Sequence, residues 1–254
     1  MIPKQLKQFG QHFLNRPDII QRIVDACLEM HPHALLEIGP GPGVLTRHLA
    51  PLLTQFKVAE IDTRMVEYLK HEHIVSENQI IAQDVLSLDP RTVFESEFWV
   101  VGNFPYNISS QIMHWIIGAP EKIPGMTGMF QKEVAKRICA SPNSRDYGSL
   151  TVMIQWFYST EYLFDVPADA FDPPPKVVSG VMRMYRREKL PADFPVPAFF
   201  KFVKACFALK RKTLRNNMKA WKPELMQVFP EDDLNKRAEQ LTQADFIRLY
   251  SLCQ

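Results

Sequence analysis

The segment Asn103-Phe104-Pro105-Tyr106 combines residue types that could activate an amine attached to a flat, conjugated ring. Adenine N6 is such an amine, and it is a poor nucleophile because its lone pair is delocalised into the ring. Two acceptors on its N–H bonds would localise that lone pair, and we assign them to the Asn103 side-chain oxygen and the Phe104 carbonyl. Pro105 biases Phe104 towards an extended backbone that aims the carbonyl, and Tyr106 offers a face for stacking the base. We predict that these four residues, the catalytic segment, are the catalytic residues of a methyl transfer.

A glycine-rich loop precedes the catalytic segment and predicts a bound nucleoside. Gly39, Gly41 and Gly43 alternate with other residues directly after a short apolar run. Glycines at this place let the backbone turn sharply and approach a ligand, although such a loop can also be a bare turn. A dinucleotide-binding fingerprint would need glycine or alanine at position 44, where the chain has Val44, so NAD fits poorly.

Two carboxylates follow the next two predicted strands. Glu60 closes the second strand, where it could accept hydrogen bonds from both ribose hydroxyls of a nucleoside. Asp84 follows the third strand and is placed to accept from an adenine amino group. Either acid alone could be a surface or capping residue, but beside the glycine loop they describe a cofactor that is itself an adenosine. S-adenosylmethionine fits, and because its methyl group is already activated, positioning should supply most of the acceleration.

The elements that position these groups alternate between short apolar runs and helix-like segments from about residue 17 to 185, which indicates an α/β fold with a parallel sheet. Two last strands, at 162–166 and 177–184, have only a proline-rich loop between them and are expected to pair antiparallel. This is the Rossmann-like sheet of class I S-adenosylmethionine-dependent methyltransferases, by analogy of fold. The other predicted strands cover 34–38, 56–61, 79–82, 98–101 and 126–130, and the predicted helices cover 19–30, 45–53, 64–70, 111–117 and 132–139.

The composition divides the chain into two domains. Residues 1–185 form the cofactor-binding catalytic domain, and residues 186–197, with three prolines, form a stiff linker. Residues 198–254 are predicted to form a small helical RNA-binding domain. Its predicted helices cover 198–209, 212–219 and 231–241.

Basic residues are concentrated around the linker and the start of the second domain. The whole chain has a net charge of only +2, but residues 183–222 hold twelve lysines and arginines and only two acidic residues. This concentration predicts a polyanionic partner, although charge alone fits a solvated helix face equally well. The densest part contains the residues that we predict to bind RNA, which are Lys210, Arg211, Lys212 and Arg215.

Other sequence features narrow the class of protein. The four cysteines lie far apart and the histidines show no metal-ligand spacing, so we expect no metal, no disulfide framework and a reducing cytoplasm. No apolar run approaches the roughly 18 residues of a membrane span. The first residues lack the apolar core of a secretion signal. We expect a cytoplasmic monomer that does not contact membranes.

Together these segments resemble the small-subunit (16S) ribosomal RNA adenine N6,N6-dimethyltransferases, from Phe9 to about Asn217. The resemblance implies transfer of methyl groups from S-adenosylmethionine to two adjacent adenosines in a hairpin near the 3′ end of 16S rRNA. It also implies that the partner is the small ribosomal subunit or its precursor, and that the protein contributes to small-subunit biogenesis. The segments that carry the resemblance are Gly10–Leu14, Glu37–Thr46, Asn103–Ser109, Gln131–Val134, Phe171–Val177 and Lys210–Asn217.

The resemblance also implies the residues that contact the cofactor, namely His12, Leu14, Gly39, Glu60, Asp84 and Asn103. His12 stands where many members carry asparagine. Phe104 replaces the usual leucine, but because the family uses the backbone of that residue, we expect the chemistry to survive.

Three alternatives stay open. The 23S rRNA adenine methyltransferases of macrolide resistance share the catalytic core, although the triple proline and the Lys-Arg-Lys-Thr-Leu-Arg-Asn run favour the small-subunit enzyme. The second is a ribosome-assembly factor that binds the small subunit and whose methylation is secondary; a protein that only binds would not need Glu60, Asp84 and Asn103 in register, which favours an enzyme. A DNA adenine methyltransferase is the third.

Overall fold

A computed structural model of the chain describes residues 2–6, 10–209 and 211–254. It confirms the α/β fold. The strands are β1 (Phe13–Leu14), β2 (Ala34–Ile38), β3 (Gln55–Ala59), β4 (Ile80–Ile81), β5 (Trp99–Asn103), β6 (Gly125–Gln131), β7 (Tyr158–Val166), β8 (Phe171–Asp172) and β9 (Ser179–Arg186).

The main sheet has the strand order β4-β3-β2-β5-β6-β9-β7. All five residues of β2 are buried, as expected of a central strand covered on both faces. β2 is parallel to β3 and β5, which are in turn parallel to β4 and β6. β9 runs antiparallel to β6. The carboxyl ends of β2, β3, β4 and β5 therefore meet at one edge of the sheet, where ligands bind in folds of this kind.

The helices are α1 (Pro17–Leu28), α2 (Thr46–Leu49), α3 (Thr63–His71), α4 (Ser109–Ile117), α5 (Lys132–Ile138), α6 (Ser149–Phe157), α7 (Val196–Cys206), α8 (Leu214–Trp221), α9 (Glu231–Asn235) and α10 (Gln243–Ser251). Pro17 begins α1, where its fixed backbone angle suits the first turn and its missing N–H costs nothing. None of the described helices is long and apolar enough to cross a bilayer.

Several predicted boundaries are corrected by the structure. Glu60 lies one residue beyond β3 rather than inside the strand, and Asn103 is the last residue of β5 rather than lying beyond a strand that ends at 101. The helix predicted over 111–117 begins two residues earlier, at Ser109, whose hydroxyl donates towards the Pro105 and Tyr106 carbonyls.

The C-terminal helices differ most from the prediction. The helix predicted over 231–241 is two short pieces, α9 and a 3-10 turn at Ala238–Gln240. The helix α10 was not predicted. Its start is marked by Thr242, whose side chain accepts from the Asp245 N–H in a capping box that the sequence already contains.

By packing, the chain forms two compact units, the first up to residue 135 and over 159–186, the second over 136–158 and 187–254. In the second unit the Trp156 ring on α6 packs on Phe199 of α7 at 4.3 Å between centroids, with Phe194 on the linker nearby. Helix α6 thus packs with the C-terminal helices. The functional division into 1–185, 186–197 and 198–254 stays a prediction.

Candidate active site

A cavity of about 320 Å³ lies in the first unit, at the carboxyl edge of the parallel strands. Its walls come from the N-terminal segment 10–14, the glycine loop, the ends of β3, β4 and β5, and the catalytic segment. The predicted site residues that line it are His12, Leu14, Gly39, Glu60, Asp84, Asn103, Phe104, Pro105 and Tyr106.

The glycine loop requires glycine at three positions. Gly39, Gly41 and Gly43 have φ of +68°, +53° and +79°, in the left-handed region that side chains disfavour. A Cβ on Gly41 would also lie 3.2 Å from the Phe13 ring of the N-terminal segment. The loop therefore passes against the cavity with bare backbone.

Glu60 presents a carboxylate that is only partly used by the protein. Its side chain is 6% exposed, and its two oxygens accept backbone N–H bonds from Gly41 (3.1 Å) and Asp62 (2.9 Å). Burial raises the pKa of Glu60, although these two N–H groups favour its charged form. A carboxylate has about four acceptor positions, so two remain for a ligand in the cavity.

Glu37 is a second buried acid of the cavity wall, for which the sequence suggested no role beyond the start of the glycine loop. Thr46 at the start of α2 donates its hydroxyl to Glu37 Oε2 at 2.7 Å. Burial raises the pKa of Glu37 to about 8, against this hydrogen bond. Glu37 is therefore largely protonated at neutral pH.

Asp84 and Leu14 complete the predicted cofactor side. Asp84 Oδ1 accepts from the Leu86 N–H at 2.9 Å and caps a short 3-10 turn, so the second oxygen is the one available to a ligand. Leu14 is buried in β1, which pairs antiparallel with β8 through Leu14 and Phe171.

Asn103 has a defined amide orientation. Its Nδ2 donates to the His12 carbonyl at 2.9 Å, and this bond fixes which end of the amide is the nitrogen. Within residues 2–6, 10–209 and 211–254, no donor is bonded to Asn103 Oδ1. The side-chain oxygen is therefore available as an acceptor at the cavity wall.

The Phe104 side chain is buried and takes no part in the proposed chemistry. Its ring packs on Phe130 at 4.9 Å between centroids, and a Cβ on Gly102 or Gly128 would collide with it. The Phe104 N–H donates to the Met129 carbonyl at 3.1 Å, which ties its backbone to β6. Two glycines thus provide the space for a phenylalanine here, and its backbone remains at the cavity wall.

Two of the rings that line the cavity contact each other. The His12 and Tyr106 rings stack with centroids 5.8 Å apart and planes at 22°. The Tyr106 hydroxyl shares a hydrogen bond of 2.5 Å with the Ser179 hydroxyl, and His12 Nδ1 lies 2.7 Å from the Pro173 carbonyl. Burial raises the pKa of the Tyr106 phenol, so it stays protonated.

A polar network that the sequence did not suggest holds the N-terminal segment in place. Gln11 donates to Asp62 Oδ2 at 2.9 Å and accepts from the Leu6 N–H at 2.8 Å. Asp62 also pairs with Arg64, whose Nη1 donates to the Lys4 carbonyl. Burial would raise the pKa of Asp62, but the hydrogen bonds from Arg64 and Gln11 outweigh it and lower the pKa. The feature of the sequence that could have pointed to Asp62 is its N-cap position before α3.

The predicted RNA-binding residues belong to the second unit. Arg211, with φ of +64°, and Lys212 are exposed, and Arg215 at the start of α8 pairs with Glu231. Lys210 lies outside the described residues. Arg183, in the basic stretch, belongs to the first unit and pairs with Glu29 and Glu161, so its charge is compensated within that unit.

The fold and the cavity at the carboxyl edge of its sheet define a class I methyltransferase. The family model described as ribosomal RNA adenine dimethylase matches residues 3–254. The chain belongs to that family.

Relatives and solved structures agree with this assignment. The chain is 45% identical to ribosomal RNA small subunit methyltransferase A of Flavobacterium johnsoniae, over 97% of this chain and 94% of that protein. It is 42% identical to the protein of the same name from Porphyromonas gingivalis, over 99% of this chain and 98% of that protein. The crystal structure of a dimethyladenosine transferase from Plasmodium falciparum superposes with a TM-score of 0.78 at 27% identity, over 94% and 96%. That of the 23S rRNA methyltransferase ErmE gives 0.69 at 27% identity, over 94% and 98%.

Proposed function

We propose that this chain transfers methyl groups from S-adenosylmethionine to the N6 amines of two adjacent adenosines in a hairpin near the 3′ end of 16S rRNA. The observation that carries the proposal is the fixed orientation of Asn103, whose Oδ1 is left as an acceptor beside the Phe104 backbone. These two acceptors would hold the two N–H bonds of N6 and localise its lone pair. The orientation is preset in the protein, so little reorganisation accompanies the reaction.

The cavity residues fit the cofactor. An adenosine needs acceptors for its ribose hydroxyls and its amino group, and Glu60 and Asp84 each have carboxylate oxygen capacity left for them. The volume of about 320 Å³ lies in the range of small-molecule sites. His12, Leu14, Gly39 and Asn103 would complete the contacts. The bound cofactor supplies an electrophilic methyl group on a sulfonium, so the protein needs to position the amine rather than deprotonate it strongly.

The small ribosomal subunit is the favoured target. Relatives named for the small-subunit enzyme are 42–45% identical to this chain over nearly its whole length, whereas the 23S enzyme ErmE is 27% identical. Lys210, Arg211, Lys212 and Arg215 would contact RNA phosphates. We infer a cytoplasmic monomer that acts on 16S rRNA within the subunit or its precursor, as part of subunit biogenesis.

The test is mass spectrometry of rRNA after incubation of the protein and S-adenosylmethionine with small subunits that lack the modification. Two dimethylated adenosines in the 3′ hairpin are expected. Parallel reactions with 23S rRNA and with adenine-containing DNA should yield no product. Methylation of either of those, with none on the small subunit, would overturn the proposal.

The binding-only form of the assembly-factor alternative predicts a different result. A protein that only binds the subunit would bind it equally well with and without cofactor, and would leave adenosine unmodified. Calorimetry of cofactor binding, with and without RNA, and the product analysis together distinguish the methyltransferase from a protein that only binds.

A further inference from the structure

The segment 171–179, which contains three consecutive prolines, has no role in the chemistry proposed above. It runs from β8 to the first residue of β9. Neither Pro173 nor Ser179 is among the described residues that line the cavity. Yet both bond to rings that do line it, and these two contacts connect the segment to the catalytic segment and to the N-terminal segment 10–14.

Ser179 acts on Tyr106. Its side chain is fully buried, and its hydroxyl lies 2.5 Å from the Tyr106 hydroxyl. Ser179 is held by the sheet, since it lies opposite Gln131 in the β6–β9 register. Any movement of the Tyr106 ring that broke this bond would leave the buried Ser179 hydroxyl without a partner, which is costly. The bond therefore restricts both the tilt and the rotation of the Tyr106 ring.

Pro173 acts on His12. The Pro173 carbonyl accepts only if Nδ1 of His12 carries the hydrogen, which leaves Nε2 without one in the neutral ring. The same bond orients the imidazole parallel to Tyr106, on which it stacks. Strand β1 adds backbone pairing of Phe13 with Asp172, so the N-terminal segment and segment 171–179 are joined at several points.

We propose that segment 171–179 is the positioning element for the Tyr106 ring, on which the target adenine is stacked, and for the His12 ring that packs against Tyr106, with Ser179 positioning Tyr106 and Pro173 positioning His12. This inference rests on the proposed function, because it assigns the Tyr106 ring to the adenine. Ser179 is a positioning residue that works through Tyr106 and contacts neither cofactor nor base.

A double-mutant cycle of Ser179→Ala and Tyr106→Phe tests the main contact. Each single variant should lower kcat by roughly 2- to 10-fold, the range for one neutral hydrogen bond, and the double variant should be no worse than either. The cofactor dissociation constant, measured by calorimetry, should stay at the wild-type value in all three. Thr127→Val removes another buried hydroxyl, on β6, and is the matched control, which should keep wild-type kcat.

The outcomes are separable. Wild-type protein that methylates nothing contradicts the proposed function, whereas active wild type with unchanged kcat in Ser179→Ala overturns only the positioning role. Additive losses in the double variant also overturn it, because Ser179 would then act independently of Tyr106. Thermal unfolding of each variant confirms that it is folded at the assay temperature.

A second measurement addresses His12 without any activity assay. Nitrogen-15 NMR of the His12 ring at alkaline pH should show the hydrogen on Nδ1. The hydrogen on Nε2 instead would contradict the contact with Pro173.

Discussion

Asn103 Nδ2 donates to the carbonyl of His12, 2.9 Å away and 91 positions earlier in the chain. The bond joins the end of a central strand to a segment outside the main sheet. The acceptor orientation of Asn103 therefore depends on the N-terminal segment 10–14, which Gln11 and strand β1 hold in place.

Replacing Asn103 by alanine is expected to lower methyl transfer by about 10²–10³, the cost of losing one preorganised interaction. Binding to small subunits should be largely unchanged, because the predicted phosphate contacts lie in the second unit. Single-turnover transfer and subunit binding measure the two effects. Asn78→Ala removes an exposed amide elsewhere and should leave both unaltered. A variant at Asn103 that keeps more than half of the wild-type turnover would contradict the role.

Glu60→Ala is expected to weaken cofactor binding by roughly 1.5–3 kcal/mol, as for hydrogen bonds to a charged group. Burial raises the pKa of Glu60, so wild-type affinity should fall as the pH is lowered, starting above the ordinary carboxyl range. Calorimetry at several pH values checks both points. The exposed Glu67→Gln serves as the control, and an unchanged dissociation constant for Glu60→Ala would refute the assignment.

Glu37 should make stability depend on pH. Its pKa is about 8 in the folded protein against an ordinary value of 4.5, so the folded state binds the proton more tightly than the unfolded state. The resulting stabilisation is complete below pH 4.5 and is lost as the pH rises towards 8, by at most about 1.4 kcal/mol per pH unit. Glu37→Gln should flatten this part of the curve in denaturant titrations. Parallel curves for variant and wild type would show that Glu37 is not the group responsible.

Gly128→Ala should disturb the Phe104 ring, because the added methyl group collides with it. We expect a loss of stability of about 1–3 kcal/mol, typical of overpacking, and lower turnover because the Phe104 backbone shifts. The smaller side chain in Phe104→Leu should be tolerated alone and should reduce the cost of Gly128→Ala. Thermal unfolding and methyl transfer of the single and double variants measure this coupling, and strict additivity would count against it.

Arg211→Ala combined with Lys212→Ala should weaken subunit binding and reduce its salt dependence, by roughly 0.7–0.9 in the log–log slope per lost phosphate contact. Cofactor affinity should not change. A matched loss of two positive charges in the first unit, Lys70→Ala with Lys122→Ala, should keep the wild-type slope. Equal slopes for both double variants would leave the basic residues without a role in RNA binding.

The single variant Glu231→Gln provides a further comparison, because it removes the acidic partner of Arg215. Its subunit binding and salt dependence are measured in the same way.

The sequence predicted the fold class, and nine of the predicted site residues line one cavity. His12 and Leu14 came from the family resemblance, and the others from the recurrence of strand, glycine loop and acid in the order that a parallel sheet requires. Apolar runs such as Ala34–Ile38 locate central strands well. Boundaries were less accurate: α4 begins at Ser109 rather than at the predicted 111, because a serine before an apolar run resembles a cap even where it lies inside the helix.

Contacts that depend on tertiary structure could not be predicted. The bonds of Ser179 to Tyr106 and of Gln11 to Asp62 join residues that are far apart in the chain and carry no pattern of their own. The raised pKa of Glu37 arises from burial in the folded core. The grouping of 136–158 with the C-terminal helices likewise depends on aromatic packing, which periodicity does not report.

Because residues 136–158 pack with 187–254, the chain enters the second unit, leaves it and returns to it. No single cut can release the C-terminal unit whole. A fragment that starts at 187 lacks Trp156, which fills the aromatic core beside Phe199, and should fail to fold alone. A chimaera that exchanges this unit between relatives must transfer both stretches together, and so must any natural recombination event that preserves it.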